Sequence, residues 1–171
     1  LISHNKFQPN NLKSKTPIAI AIGVIIIGLA IFYTYSADTA KNRGKFFGDS
    51  LQAIQDELKQ TQSEFYAKKT MVDQGAITKE EFAAFGKTHI EKMRQIVAKY
   101  DTLLPPESFV KSVSLLKTST QKQIESDQYL IDWIVTNDTS NKIRSDDLLQ
   151  ESFENEMAGI ASFRKAKDAA S

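Results

Sequence analysis

The sequence TKEEFAAFGKTHIEKMRQIVAKYDTL, residues 78–103, carries the most regular helical pattern in the chain. Its apolar residues recur at alternating spacings of three and four, which is the pattern of an α-helix with one buried stripe. Thr78, followed three positions later by Glu81, is the signature of a capping box at a helix start. We therefore predict a helix from Thr78 that buries His89 with Phe85 and Met93. The full stripe is Phe82, Phe85, His89, Met93, Ile96, Tyr100 and Leu103.

Three further segments show the same periodicity. The first of these segments ends at Gly75, a residue suited to closing a helix. The second follows Pro105 and Pro106, which stop the preceding helix. The third follows the polar turn 137–140. The apolar stripe of the first segment is Phe47, Leu51, Ile54, Leu58, Phe65 and Val72. The stripe of the second is Phe109, Val113, Leu116, Ile124, Ile131 and Ile134. The stripe of the third is Ile143, Leu149, Phe153, Met157, Ile160 and Phe163.

The connections between these four segments are short, so neighbouring helices are expected to run antiparallel. No segment alternates apolar and polar residues as a half-buried strand does. The sequence therefore predicts an all-α domain, an antiparallel four-helix bundle over residues 47–165, followed by a frayed C-terminus at 166–171.

Residues 18–35, IAIAIGVIIIGLAIFYTY, form an uncharged apolar run. As a helix this run is about 27 Å long, close to the hydrocarbon thickness of a bilayer. A cleaved signal peptide is disfavoured, because cleavage after Ala37 puts Tyr35 at a position that small residues occupy. We expect a retained transmembrane helix at 18–35, with a polar N-terminal tail at 1–17 and a juxtamembrane segment at 36–46.

The orientation of this anchor is not decided by the positive-inside rule, because lysine or arginine flanks both ends of the run. A polar tail without acidic residues, one anchor and a large C-terminal domain is the usual layout of a protein whose tail is cytoplasmic. We expect a single-pass protein of the cell membrane with a cytoplasmic N-terminus and an extracytoplasmic bundle. Asn137-Asp138-Thr139 matches the acceptor pattern for N-glycosylation, which makes Asn137 a candidate site.

Charge and cysteine content exclude several classes of site. The chain has 22 Lys and Arg against 21 Asp and Glu, and no cysteine. Without a clustered basic face we expect no nucleic-acid partner. The absence of cysteine excludes disulfides, thiolate metal sites and cysteine nucleophiles.

His89 is the residue on a predicted inner face that could ligate a metal. A di-metal bundle site needs Glu-x-x-His on two helices, whereas Gly86 stands three residues before His89 and the domain has no second histidine. We therefore predict no metal and no cofactor. Thr61, Thr120 and Asp127 also fall on inner stripes. With His89 they form a candidate buried polar layer that either fixes the helix register or lines a small ligand cavity.

Trp133 and Tyr129 form an aromatic patch outside the stripe of the third helix. The patch either packs on the core or anchors a protein interface. No Ser, His and acid set lies in a strand-turn-helix context, and no glycine-rich phosphate loop is present. We therefore predict a protein without catalytic residues.

The sequence Leu103-Leu104-Pro105-Pro106-Glu107-Ser108-Phe109, followed by two helices, resembles helical ectodomains of prokaryotic membrane proteins. The whole layout resembles the single-span accessory subunits of archaeal ammonia monooxygenase complexes. That resemblance implies a non-catalytic structural subunit whose partners are the lipid bilayer and other integral membrane subunits, with copper ligands on those other subunits. The alternative function is an extracytoplasmic sensor or solute-binding helical domain, although a small-molecule ligand is not expected.

Overall fold

The computed structural model describes the backbone of residues 42–170 and the side chains of residues 46–169. This part of the chain forms four helices: α1 (Asn42–Asp73), α2 (Lys79–Tyr100), α3 (Val110–Thr136) and α4 (Thr139–Ala170), with a 3-10 turn at Glu107–Phe109 before α3. The prediction of an all-helical bundle is confirmed for these residues. The predicted anchor at 18–35 and tail at 1–17 lie outside them. No helix between residues 42 and 170 has an apolar run that could cross a bilayer.

Contacts between neighbouring helices show that the bundle is antiparallel. In α1 and α2, Gln55 pairs with Tyr100, and Phe65 stacks on His89. In α2 and α3, Tyr100 pairs with Thr120, whereas the earlier His89 pairs with the later Asp127. One end of the bundle therefore contains the start of α1, the loop between α2 and α3, and the end of α4. We call it the basal end, and the opposite end the distal end.

The helix boundaries follow the local sequence closely. The capping box of α2 has both bonds: the Glu81 N–H donates to Thr78 Oγ1 at 3.1 Å, and the Thr78 N–H donates to Glu81 Oε2 at 2.7 Å. Gly75 follows α1 with a φ of 71°, a left-handed conformation that glycine adopts without strain. Asn137 closes α3 with a φ of 56°, and its N–H donates to the Trp133 carbonyl at 2.7 Å.

Two helices are longer than the sequence predicts. Helix α1 begins at Asn42, inside the segment expected to be juxtamembrane, and α4 continues through Ala170, where a frayed end was expected from residue 166. The last turns of α4 are rich in alanine, lysine and arginine, which favour helix. Ala166 is buried there against Phe163 and the other residues of the basal core.

The core divides into two apolar clusters, one toward each end. The basal cluster contains Phe47, Leu51, Ile54, Leu58, Met93, Ile96, Tyr100, Leu103, Phe109, Val113, Leu116, Phe163 and Ala166. The distal cluster contains Phe65, Tyr66, Phe82, Ile90, Leu130, Ile131 and Ile134. Of the three residues predicted to share one buried face of α2, His89 and Met93 are buried and Phe85 is half-buried.

Helices α3 and α4 meet along a line of small residues, which we call the serine seam. On α3 the seam consists of Ser112, Ser119 and Ser126, and on α4 of Ser145, Ser152 and Gly159, in each case seven residues apart. Three bonds from a hydroxyl to a backbone carbonyl cross it: Ser112 Oγ donates to the Gly159 carbonyl at 2.9 Å, Ser152 Oγ to the Ser119 carbonyl at 2.9 Å, and Ser126 Oγ to the Ser145 carbonyl at 2.8 Å. Two pairs of hydroxyls also meet across it, Ser119 with Ser152 and Ser126 with Ser145. Small side chains let two helix backbones approach closely enough for such bonds.

The serine seam corrects the predicted register of α4. Ile143 and Met157, assigned to the buried stripe, are exposed, whereas Leu148 is fully buried. The predicted stripe consists of the large apolar residues of α4. Where two helices pack most closely, however, the residues between them must be small. A side chain at position 159 would be crowded, because a Cβ there would lie 3.0 Å from Leu116 Cγ. The face that carries Ser145, Ser152 and Gly159 is therefore the face turned toward α3.

We predict that Ser152→Leu destabilises the fold by about 2 to 3 kcal/mol, because a large side chain overpacks the seam. Ser152→Ala keeps the close approach but loses the bonds of Ser152 Oγ to the Ser119 carbonyl and hydroxyl, for a cost of about 1 to 2 kcal/mol. Urea unfolding of the full chain in mild detergent, followed by circular dichroism, measures both. Ser114→Leu, at an exposed position of α3, is the matched control. Equal stability of the Ser152→Leu and Ser114→Leu variants would contradict the seam.

Candidate functional site

The most polar part of the core is a buried carboxylate shared by three helices. Asp127 on α3 is fully buried, and its Oδ2 lies 2.8 Å from His89 Nε2 on α2 and 2.8 Å from Gln62 Nε2 on α1. The amide of Gln62 donates to this oxygen, and the His89 tautomer that carries its proton on Nε2 donates to it as well. We call the three residues the Asp127 centre.

Aromatic rings hold the Asp127 centre in place. The imidazole of His89 stacks on Phe65 with ring centroids 4.1 Å apart, and Phe85 lies farther off at 6.4 Å. Tyr66, also on α1, has its pKa raised well above the ordinary value, chiefly by burial and further by the charges of Asp127 and Asp146. The phenol therefore stays neutral, which suits a position beside a buried carboxylate.

Four atoms in and next to this centre are buried without a hydrogen-bond partner among the described residues: Thr61 Oγ1, Gln62 Oε1, His89 Nδ1 and Asp127 Oδ1. The side chains of His89 and Asp127 are both closed off from solvent. The arrangement ties three helices to one acceptor atom. A shared acceptor of this kind favours the register-fixing alternative over the ligand cavity, and that alternative stays a prediction.

A second polar layer lies on the basal side. Gln55 Nε2 donates to Tyr100 Oη at 2.7 Å, Tyr100 Oη lies 3.4 Å from Thr120 Oγ1, and Thr120 Oγ1 donates to the Leu116 carbonyl at 3.0 Å. Burial raises the pKa of Tyr100, and the charge of Glu156 on α4 raises it further. Glu156 is itself half-buried, and burial raises its pKa to about 7.

The structure buries all four residues of the predicted polar layer but does not bring them into one layer. His89 and Asp127 bond each other, Thr120 belongs to the second layer, and the Thr61 hydroxyl bonds to neither. Sequence reasoning missed Gln55 and Gln62, because glutamine is usually solvent-exposed. The signal was present: Gln55 and Gln62 continue the helical spacing of Leu58 and Phe65.

The predicted aromatic patch lies near the distal end. Trp133 is half-buried against the distal cluster, and Lys142 Nζ lies 5.6 Å from the centre of its ring. Tyr129, one turn earlier on α3, is exposed. Trp133 therefore has the first of the two roles left open by the sequence, packing on the core, and its role in a protein interface stays a prediction.

Three other features bear on the predictions. Asn137 is exposed at the end of α3, and its Oδ1 accepts a bond from Lys79 Nζ at 2.8 Å, so the candidate glycosylation site lies on the surface. Over residues 42–170, no three His, Asp or Glu side chains lie close enough together to hold a metal ion.

An open groove of about 470 Å³ lies between α2 and α3, lined by Arg94, Lys122, Ile124 and Glu125 among others.

Comparison with protein-family models, with characterised proteins and with solved structures finds no match to this chain.

We predict that Asp127→Ala destabilises the fold by about 3 to 5 kcal/mol, because it leaves the Gln62 amide and the His89 N–H buried without an acceptor. Thermal and urea unfolding of the full chain in mild detergent measure this loss. Asp147→Ala, an exposed aspartate on α4, is the control and should change stability by less than about 0.5 kcal/mol.

A double-mutant cycle separates the bond from the loss of packing. His89→Leu combined with Asp127→Leu should cost about 1 to 3 kcal/mol less than the sum of the two single variants, because the pair then leaves no broken bond between them. Strict additivity of the two variants would contradict the coupling that we ascribe to this bond.

We predict that Glu156→Gln stabilises the fold at pH 8 by about 2 kcal/mol and changes little at pH 4. The folded-state pKa of Glu156 is about 7, above the ordinary value of 4.5. Between pH 4.5 and about 7, Glu156 therefore retains in the folded chain a proton that it has lost in the unfolded chain. The stability that this proton confers is fully present below pH 4.5 and is lost as pH rises through 7.

Unfolding free energies of the wild type and Glu156→Gln across pH 4 to 8 test this prediction. Glu154→Gln, an exposed glutamate on the same helix, should leave the pH profile unchanged. A Glu156→Gln profile parallel to that of the wild type would show that Glu156 is ionised at pH 6 in the folded chain.

Proposed function

We propose that the protein is a non-catalytic, membrane-anchored accessory subunit that docks its helical domain on a larger membrane protein complex. The observation that carries this proposal is the aromatic face of Tyr129 and Trp133, presented by a bundle whose register is fixed by buried bonds. Tyrosine and tryptophan are enriched among the residues that dominate binding energy at protein interfaces. Lys142, above the Trp133 ring, adds a cation at the edge of this face.

The anchor in this proposal is the uncharged run at 18–35, with the N-terminus in the cytoplasm and the bundle outside. The support comes from the sequence: the length of the run, its aromatic end at Phe32, Tyr33 and Tyr35, and a poor signal-peptidase site. The described helix α1 starts only six residues beyond this run. A short connection of that kind suits a domain held close to its membrane partners.

The partners in this proposal are other integral membrane subunits. An archaeal ammonia monooxygenase complex is a candidate assembly, and the support for it is the likeness in layout to the single-span accessory subunits of such complexes. The bundle would supply contact surface to that assembly.

The alternative function is an extracytoplasmic sensor or solute-binding domain, and the groove between α2 and α3 is the feature in its favour. Arg94 would suit an anionic solute, whereas Lys122 is already paired with Glu151 at 2.8 Å. The groove is open, however, and Glu125 brings an opposing charge to its wall. The aromatic face fits a protein partner better than this groove fits a solute.

We predict that Tyr129→Arg and Trp133→Ala each abolish co-purification of the full chain with its membrane partners from native membranes in mild detergent. Tyr129→Arg changes an exposed side chain and leaves the core intact. His89→Ala is the control for lost stability, because it weakens the core without changing the surface, and it should still co-purify. Unchanged partner recovery with both aromatic variants would overturn this assignment of the docking face.

A further inference from the structure

The basal end of the bundle is organised by three stacked aromatic rings. The Phe47 and Phe109 ring centroids lie 5.6 Å apart, and those of Phe109 and Phe163 lie 4.9 Å apart. These contacts bring the start of α1, the 3-10 turn before α3 and the last part of α4 to one level. The residues next to each ring in sequence, Phe46, Val110 and Arg164, therefore surround the same end of the molecule.

This end carries large apolar side chains that the fold leaves in solvent. Leu104, in the loop between α2 and α3, is 84% exposed; Phe46 is 71% exposed and Val110 is 51% exposed. The buried rings beside them belong to the core, so these three do not contribute to it. Their exposure has no explanation in the packing of the bundle itself.

Basic side chains accompany these apolar residues. Lys111, Arg164 and Lys165 are exposed at the same end. Exposed acids are also present, at Glu107 and Asp168, while Asp101 is paired with Lys117. In sequence, Lys41, Arg43 and Lys45 add three bases immediately before and within the first turn of α1. Asp49, near the start of α1, is exposed as well. Counted by sequence, six bases then stand against three exposed acids at this end, whereas residues 46–169 as a whole have an excess of acids.

The position of the apolar run decides what this end faces. Six residues, 36–41, connect the run at 18–35 to α1, and six residues span at most about 22 Å. If the run crosses a bilayer, the start of α1 stays within that distance of its surface. The headgroup layer adds about 5 to 7 Å on each side of the hydrocarbon. The basal end, which contains the start of α1, is then the end that the short connection keeps within reach of the lipid headgroups.

We propose that the basal end is a lipid-contact surface, in which Phe46, Leu104 and Val110 enter the interfacial layer of the bilayer and Lys111, Arg164 and Lys165 contact its phosphates. Apolar side chains buried to interfacial depth, flanked by lysine and arginine, are the standard means of holding a protein surface at a membrane. This inference rests on the anchor of the proposed function. It goes further, because it assigns an orientation: the bundle stands with its basal end on the membrane.

A lipid partner fits this surface better than a protein partner. The exposed apolar residues lie on the loop and on two different helices around one end, instead of on one contiguous face. A covalently tethered anchor gives the basal end a high effective concentration of bilayer, so weak contacts suffice. The bases complement anionic headgroups directly.

Because the chain has no cysteine, a single introduced cysteine can carry a fluorophore at a chosen position. Val110→Cys and Val135→Cys form a matched pair, since both are exposed valines on α3, 51% and 45% exposed, near its basal and distal ends. The two positions are separated by about 37 Å along the helix. The full chain, labelled at either site, is reconstituted into vesicles of phosphatidylcholine and phosphatidylglycerol that contain brominated acyl chains.

We expect the label at Val110 to be quenched at least threefold more by brominated lipid than the label at Val135, with Leu104→Cys behaving like Val110→Cys. Replacing Arg164 and Lys165 by glutamine should reduce the difference in anionic vesicles and leave it unchanged in pure phosphatidylcholine. Equal quenching at Val110 and Val135, in chains that float with the vesicles, would overturn the lipid-contact surface and leave the anchor standing.

Two other outcomes also decide the matter. If the full chain does not float with the vesicles, the anchor fails, and the lipid-contact surface fails with it. If the Val110 label is shielded from a water-soluble quencher but not quenched by lipid, and Val110→Cys cross-links to a second copy, the occupant is protein and the lipid assignment is wrong.

Discussion

The bond between Asp127 and the two side chains that donate to it is the interaction on which the arrangement of the first three helices depends. A carboxylate taken out of water is costly unless its bonds are made. Here Asp127 Oδ2 lies 2.8 Å from both the His89 and the Gln62 nitrogens, whereas Oδ1 is buried without a partner among the described residues. Apolar stripes alone tolerate a helix that slides by a turn or rotates slightly. A single acceptor that must meet donors from α1 and α2 does not tolerate such a shift. The polar centre therefore favours one helix register among several that bury a similar apolar area.

The fourth helix is fixed by a different means. Helix α4 contributes no residue to the Asp127 centre; it is held to α3 by hydroxyls that reach backbone carbonyls across the serine seam. Each of these bonds exists only where two backbones come close, so seven-residue spacing on both helices fixes their alignment along its length. The bundle thus combines an apolar core that contains one polar centre between α1, α2 and α3 with a close pairing of α3 and α4.

These two devices explain which features could be predicted from sequence. Large apolar residues at helical spacing predicted all four helices, and Thr78 with Glu81 predicted the start of α2, because both signals are local. The register of α4 could not be predicted from large apolar residues. Ser145, Ser152 and Gly159 face α3 because they are small, and small residues carry no hydropathy signal. His89 and Asp127 were placed inside by their position on a stripe. Their pairing depends on the contact of α2 with α3, which no single helix specifies.

A fixed register also matters for the function proposed for this chain. Tyr129 and Val110 lie on the same helix, 19 residues and about 29 Å apart, so α3 joins the aromatic face to the basal end as a rigid rod. If the basal end stands on the lipid surface, the bundle acts as a spacer that presents Tyr129 and Trp133 at a set height above the bilayer. A slip of one heptad between helices would move one element against another by about 10 Å, more than an interface tolerates. The buried bonds then set the geometry of docking, although none of them touches a partner.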